Sequence, residues 1–153
     1  MSALIVSGIN AEGFREIVGM KVADSESEQT WKDLFRWLKD RGLHGVNYVV
    51  SDAHKGLVAA IQKSFQGAVW QRCQVHFMRN VFGHTPKRHQ KVISKGMKKI
   101  LNADDYDDAR KAFQDLTEEL TGKADNALQV LEEGFEDALA VLGMPEKYRR
   151  RMK

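Results

Sequence analysis

The chain has 153 residues, of which 42% are hydrophobic and 29% charged, and its formal net charge is +3. This composition is typical of a globular protein of single-domain size, and no apolar run approaches the roughly 20 residues that cross a bilayer, so we expect no membrane partner. The single cysteine, Cys73, excludes an intrachain disulfide and a multi-cysteine zinc site, and the N-terminus lacks the basic segment of a secretory signal, so we expect a cytoplasmic protein.

The first part of the chain predicts a β-hairpin followed by a helix. Residues 3–9 and 14–22 are apolar runs that flank a glycine-containing turn, as in a hairpin. Ser25 and Glu28 have the spacing of a capping box, which predicts the start of a helix. The apolar positions of that helix recur at helical spacing and form one buried face: Trp31, Leu34, Phe35 and Leu38.

A strand, a helix and a second strand follow the first helix. Residues 46–50 and 67–73 favour strands, and residues 54–65 have helical spacing between them. This alternation predicts two parallel strands joined by a helical crossover. Functional groups in such sheets gather where the strands end, and Asp52 and Cys73 occupy those positions.

The rest of the chain has a helical pattern. Pro86 separates a helix near residues 76–83 from one near residues 87–101. Apolar residues that step by three and four positions predict further helices over 106–120 and about 123–142. We therefore expect an α/β first half followed by an all-helical second half.

Charge is distributed unevenly along the chain. No acidic residue lies between Asp52 and Asp104, and the ten lysines and arginines there give the interval a charge of +10, which leaves −7 for the remainder of a chain that totals +3. Such a segment suits a polyanion, although a solvated face that binds nothing explains the charge equally well. The side chains that we predict to contact phosphates of such a polyanion are Lys55, Arg72, Arg79, Lys87, Arg88, Lys91, Lys95 and Lys98.

Asp52 has two interpretations of equal weight from the residues alone. A carboxylate at this position caps the next helix by accepting its first N–H groups, or it supplies a hard oxygen ligand to Mg²⁺. Two-metal phosphodiester chemistry requires several carboxylates that converge from different strands. This chain contains one well-placed candidate.

Cys73 and His76 form a C-x-x-H pair, for which three functions compete. Such a pair supplies two zinc ligands, but no second pair with ligand spacing accompanies it. A nucleophilic Cys73 with His76 as its base would make a hydrolase, whereas cysteines at strand ends are more often small buried apolar residues. We favour the third function, in which His76 binds a phosphate or orients a neighbour of Asp52.

Several ordered motifs point to one family. They are GINAEG at residues 8–13, REIVG at 15–19, SESE at 25–28, VSDAHKGL at 50–57 and WQRCQVHFMRN at 70–80. Together they resemble the Mutator-type transposases of bacterial insertion sequences. The resemblance in motifs covers residues 5–100, and the helical remainder is similar to that family more loosely.

The resemblance implies a ribonuclease-H-like core with a helical insertion, and a DDE carboxylate triad that uses a divalent ion, Mg²⁺ or Mn²⁺. It also implies DNA as the partner, both the element ends that are cut and the target that receives them, in the bacterial nucleoid. On this basis the catalytic residues in the chain are Asp52, which matches the second carboxylate and a metal ligand, and the signature pair Cys73 and His76.

Two carboxylates of the implied triad have no match in this chain. The first aspartate belongs on a strand before the hairpin, and the final glutamate follows the helical insertion; Glu146 lies near that place but outside the expected motif. We therefore expect residues 1–75 to form a partial ribonuclease-H-like α/β core that lacks its first strand, and residues 76–153 to form the insertion. The acids Asp24, Glu26 and Glu28 are interpreted as helix caps.

Such a chain is expected to be inactive alone, and the missing strand would leave sheet edges that favour a homo-oligomer by dimerisation or strand exchange. The alternative that this sequence leaves open is a non-catalytic module that binds nucleic acid or takes part in assembly.

Overall fold

The structure is a computed structural model that describes residues 1–152, and it has the mixed α/β composition that the sequence predicts. The chain packs as two compact units. The first comprises Met1–Val49 and Ala53–Val69, and the second comprises Val50–Asp52 and the chain from Trp70 onward. None of the helices within residues 1–152 is long and apolar enough to cross a membrane.

The predicted hairpin is confirmed as strands β1 (Ser2–Ile9) and β2 (Arg15–Ala23), which pair antiparallel. The register shifts after Val6, so one extra residue of β2 bulges at this point. The turn closes on Asn10, whose Oδ1 accepts the backbone N–H groups of Glu12 and Phe14 at 3.1 and 3.0 Å. An asparagine side chain that replaces backbone acceptors in this way stabilises a tight reversal.

Helix α1 (Glu28–Asp40) buries the four apolar residues predicted for its inner face, and it packs against β2. Gly19 of β2 lies so close to Leu38 and Trp37 that a Cβ atom there would meet both side chains. Gly42, at φ 107°, takes the left-handed conformation that commonly ends a helix.

The predicted capping box is wrong in its position. Ser27 is the N-cap of α1, and its Oγ accepts the Thr30 backbone N–H at 3.1 Å. Glu28 begins the helix and pairs with Lys63 at 2.6 Å. A start at Ser25 would lengthen the helix without adding an apolar residue to its buried face, so packing favours the second serine.

Helix α2 (Lys55–Ser64) packs against α1 and completes the core of the first unit. Leu57, Ala60 and Ile61 are its buried residues, and Phe65, just beyond its end, meets Phe35 edge to face at 5.0 Å between ring centroids. Such offset aromatic pairs add about 0.5–1.5 kcal/mol to the free energy gained from burial.

Strands β3 (Tyr48–Ser51) and β4 (Val69–Arg72) form a second sheet, and each is shorter than predicted. The Val69 N–H donates to Asn47 O at 3.0 Å, and the Cys73 N–H donates to Ser51 O at 2.6 Å. Both bonds join residues with the same separation in sequence, which occurs only in a parallel pair. The predicted parallel pairing is therefore confirmed.

The helices of the second unit form one continuous apolar core. Its largest fully buried side chains include Phe77, Ile93, Met97 and Leu131. The predicted break at Pro86 and the predicted helix over 106–120 are confirmed, whereas the helix predicted over 123–142 ends earlier and continues as a short 3-10 turn over Ala140–Gly143. The α-helices are α3 (Gln74–Gly83), α4 (Gln90–Leu101), α5 (Tyr106–Leu120), α6 (Asp125–Leu139) and α7 (Glu146–Arg149).

Candidate functional site

Asp52 and Cys73 lie at the same end of the β3–β4 sheet. The hydrogen bond from the Cys73 N–H to Ser51 O is the last one between the two strands, so each strand ends directly before one of these residues. The Asp52 side chain is exposed and that of Cys73 is half-buried. The structure therefore places an exposed acidic residue at a strand end, which is where functional groups gather in such sheets.

The backbone next to Asp52 is held by two side-chain hydrogen bonds. The Trp70 indole Nε1–H donates to Ser51 Oγ at 2.9 Å. The Ser51 hydroxyl then donates to the Asp52 backbone carbonyl at 2.7 Å. Sequence reasoning missed this arrangement, because it depends on which rotamers the two side chains adopt.

The N-cap of α2 is His54, whose Nδ1 accepts the Leu57 N–H at 3.4 Å. This acceptor role requires the tautomer with its proton on Nε2. His54 therefore occupies the N-cap position of α2, one of the two roles that the sequence offered for Asp52.

Cys73 and His76 belong to the start of α3. Cys73 is the N-cap residue and makes no side-chain cap bond, and it is a free thiol. His76 is the third residue of the helix and is exposed. Cys73 therefore lies at the same end of the sheet as Asp52. His76 lies three residues further along the chain, in the first turn of α3, and is exposed.

Two buried glutamines that sequence reasoning missed anchor this segment to the helical core. Gln71 Nε2 and Gln74 Nε2 both donate to the Ala138 carbonyl, at 2.7 and 2.9 Å. Gln71 Oε1 accepts the Val141 N–H at 2.6 Å. A polar residue between Trp70 and Arg72 at an inward strand position was the available signal, since buried amides need partners.

Asp52 fits one ligand position for Mg²⁺, because it is an exposed carboxylate at a strand end. No group of three or more histidine, cysteine or acidic side chains that could hold a metal is present among residues 1–152. The described residues therefore do not form a complete metal site.

The predicted DNA-contacting cations differ in how they are presented. Arg72 is half-buried, with its guanidinium over the Phe77 ring at 4.6 Å from the centroid. The other seven are exposed, and three of them follow the outer face of α4 at intervals of four and three residues, opposite its buried face. Arg79 and Lys98 line one groove of about 480 Å³ between α3 and α4.

Comparison with known proteins gives a consistent result. The family model described as "Transposase, Mutator family" matches residues 1–153. The chain is 46% identical over 139 residues to the transposase for insertion sequence element IS256 in transposon Tn4001 from Staphylococcus aureus. The aligned segment covers 90% of this chain and 36% of that protein.

Two further relatives agree with this match. The transposase for ISRM5 from Rhizobium meliloti is 35% identical over 152 residues, which cover 99% of this chain and 38% of the relative. The transposase for IS1081 from Mycobacterium tuberculosis is 36% identical over 149 residues, covering 97% and 36%. The chain thus spans less than two fifths of the length of these relatives. The chain belongs to the Mutator family of transposases.

Proposed function

We propose that this chain is the central section of a DNA transposase, which in its full length cuts DNA at the ends of an insertion sequence and joins those ends to a target. The observation that carries the proposal is the placement of an exposed Asp52 beside Cys73 at the shared end of two parallel strands, in a member of the Mutator family. Such a protein acts where DNA is, in the bacterial cytoplasm and nucleoid.

Asp52 supplies one carboxylate of a DDE triad in this proposal, and the other two come from polypeptide outside residues 1–153. A bound Mg²⁺ or Mn²⁺ ion would stabilise the negative charge that develops on the phosphodiester oxygens. Within this chain, the Asp52 carboxylate would be one ligand of that ion. The exposed His76 donates a hydrogen bond to a phosphate of the bound DNA. Cys73 shapes the strand end as a small apolar residue.

The order of the elements supports a ribonuclease-H-like core as part of the same proposal. An antiparallel hairpin is followed by a helix and by a strand–helix–strand unit with parallel pairing. A strand that precedes the hairpin in the full-length protein would complete such a core. Residues 1–75 then form the partial core and residues 76–153 the helical insertion.

The exposed cations of α3, of α4 and of the 3-10 turn between them (Lys87–His89) form the DNA-binding surface. Phosphate contacts of this kind position a duplex without reading its sequence. Arg79 and Lys98 come from different helices and line the same groove, which supports a shared phosphate-binding surface. The proposed surface of the second unit consists of Arg79, Lys87, Arg88, Lys91, Lys95 and Lys98, with the half-buried Arg72 as an additional contact. Lys55, which belongs to the first unit, is proposed as a separate DNA contact.

Substitution of Asp52 tests the catalytic part. In the full-length protein with element-end DNA and Mg²⁺, Asp52→Asn should reduce cleavage to background and leave DNA affinity within about twofold. Asp24→Asn, which changes an exposed acid just after β2, is the matched control and should cleave normally. Full cleavage by Asp52→Asn would refute the proposal.

A second candidate, a non-catalytic module that binds nucleic acid, is supported by the acid-free basic interval between Asp52 and Asp104. It predicts normal DNA binding by the full-length protein without cleavage in any divalent ion. A Cys73-dependent hydrolase makes a different prediction, since Cys73→Ala would then abolish hydrolysis whereas Asp52→Asn would not.

We also propose that the hairpin mediates self-association with a second copy of the chain. On its outward face, Ile5, Ile17, Met20 and Val22 are each more than half exposed, at 57, 73, 62 and 60%. Large exposed apolar patches commonly mark interaction sites. Sedimentation should show a concentration-dependent dimer that Ile17→Lys dissociates, and a monomer at all concentrations would refute this part.

A further inference from the structure

Trp70 and Ser51 form a short hydrogen-bonded chain that ends on the Asp52 backbone. The indole Nε1–H of Trp70 donates to Ser51 Oγ at 2.9 Å, and the Ser51 hydroxyl donates to Asp52 O at 2.7 Å. The serine oxygen is therefore acceptor and donor at once. Each bond fixes the rotamer that the other bond needs, so the two reinforce one another.

These two hydrogen bonds lie next to the end of the β3–β4 pairing, where they restrain the backbone of Asp52. Pairing between β3 and β4 ends with the bond from the Cys73 N–H to Ser51 O at 2.6 Å. The Trp70–Ser51 chain carries the restraint one residue further, onto the peptide group that follows Asp52. Both Trp70 and Ser51 are half-buried, whereas Asp52 is exposed. A part-buried bond from Trp70 and an exposed bond from Ser51 thus restrain the backbone of the exposed Asp52.

We propose that Ser51 and Trp70 are positioning residues that hold the Asp52 carboxylate in its working orientation. This inference rests on the proposed function of Asp52. Groups that bind a reacting centre must be held within about 0.5 Å and 10–20° of the productive geometry. Partners that orient such a ligand from outside typically change affinity or activity by about 10–100-fold when they are removed.

A matched pair at position 51 separates the hydroxyl from its volume. Ser51→Val and Ser51→Thr place side chains of similar size in the strand, and both are β-branched, but only threonine keeps the hydroxyl. In the 153-residue chain, Ser51→Val should shift the Trp70 indole N–H resonance and lower the order parameter of the Asp52 amide. Ser51→Thr should leave both near their original values.

The same pair is then compared in the full-length protein. Ser51→Val should raise the Mg²⁺ concentration for half-maximal cleavage by about 10-fold or more, the usual effect of removing an orienting partner. Ser51→Thr should stay within about threefold of the original value. A merely structural role would lower the melting temperature of Ser51→Val and leave its Mg²⁺ requirement unchanged, and that result would overturn the proposal.

Trp70→Phe provides an independent test, because it removes the indole N–H that donates to Ser51 Oγ. Trp37→Phe is its control, since Trp37 is 39% exposed and its ring lies under the Arg41 guanidinium at 4.6 Å. Trp70→Phe should shift the Mg²⁺ requirement in the same direction as Ser51→Val, and Trp37→Phe should not. Equal behaviour of the two tryptophan variants would overturn the proposal.

The outcome for Asp52→Asn distinguishes this inference from the proposed function. If Asp52→Asn still cleaves DNA, the proposed function fails and the positioning role fails with it. If Asp52→Asn is inactive while Ser51→Val and Ser51→Thr have the same Mg²⁺ requirement and the same amide order, the proposed function stands and only the positioning role is wrong.

Discussion

Gln71 and Val141 lie 70 positions apart in the sequence, yet the Gln71 Oε1 accepts the Val141 backbone N–H at 2.6 Å. The amide nitrogen of Gln71 donates to Ala138 O at 2.7 Å, and its side chain is fully buried. The 3-10 turn that follows α6 is therefore tied to the strand that precedes the C-x-x-H pair. A single buried amide joins the end of β4 to the helical core of the second unit.

Replacing Gln71 with leucine should destabilise the second unit. Leucine fills a similar volume but leaves the Val141 N–H without its acceptor, and an unsatisfied buried group costs about 1–3 kcal/mol. The free energy of unfolding should therefore fall by about 2 kcal/mol. It is measured by urea denaturation, with amide exchange in α6 as the readout. Gln114→Leu, on an exposed position of α5, is the control and should change stability by no more than about 0.5 kcal/mol. A Gln71→Leu variant as stable as this control would show that the amide bonds contribute nothing.

The two serines before α1 make the corrected cap testable. Ser27→Ala removes the acceptor of the Thr30 N–H and should weaken the helix by about 1 kcal/mol. Exchange of the Thr30 amide should then accelerate by roughly fivefold, because 1.4 kcal/mol corresponds to about tenfold. Ser25→Ala should leave that exchange rate unchanged. Faster exchange in Ser25→Ala alone would restore the capping box that the sequence pattern predicts.

These examples separate what the sequence encodes locally from what it does not. The buried face of α1 and the ends of α5 follow from side-chain spacing along one helix, so they were predictable. Ser25 and Ser27 are chemically identical caps, and the choice between them depends on packing and on the pairing of Glu28 with Lys63. Local pattern cannot decide such a choice.

The candidate site shows the same division. The placement of Asp52 and Cys73 at one sheet end follows from two short strands and a crossover helix, all visible in the sequence. The Trp70–Ser51 and Val141–Gln71 hydrogen bonds join residues that are 19 and 70 positions apart. Such bonds depend on the folded backbone and on rotamers, and residue type alone shows only that a buried polar group needs a partner.

Tyr48 should make stability fall at high pH. Burial disfavours the phenolate and raises the pKa of Tyr48 to about 12, against about 10 in an unfolded chain. The folded state therefore retains the phenol proton where the unfolded state has lost it. This contribution is fully present below pH 10 and is lost as the pH rises through about 12.

Urea denaturation at pH 9, 10 and 11 measures this effect. The free energy of unfolding of the original chain should fall between pH 10 and 11 more steeply than that of Tyr48→Phe. Tyr148→Phe, which removes a 42% exposed phenol, should keep the original slope. Identical slopes for the original chain and Tyr48→Phe would mean that the Tyr48 phenol titrates alike in the folded and unfolded states.

The basic face of α4 can be tested through the salt dependence of DNA binding. Lys91, Lys95 and Lys98 follow that face and are exposed, away from the buried Ile93 and Met97. Each phosphate contact on duplex DNA contributes about 0.9 to the negative slope of log affinity against log salt concentration. Replacing all three lysines with glutamine should therefore flatten the slope by about 2.7.

A second triple variant controls for the loss of net charge. Lys21, Lys32 and Lys111 lie outside the acid-free interval, and their replacement with glutamine removes the same three charges. This variant should keep the original slope, because slope reports local counterion release and long-range charge mainly affects association rates. Fluorescence anisotropy with a labelled duplex between 50 and 200 mM salt, the range over which several contacts change affinity by about 10³-fold or more, measures both slopes. Equal flattening in the two variants would mean that DNA responds to total charge, and the α4 face would then have no specific role in binding.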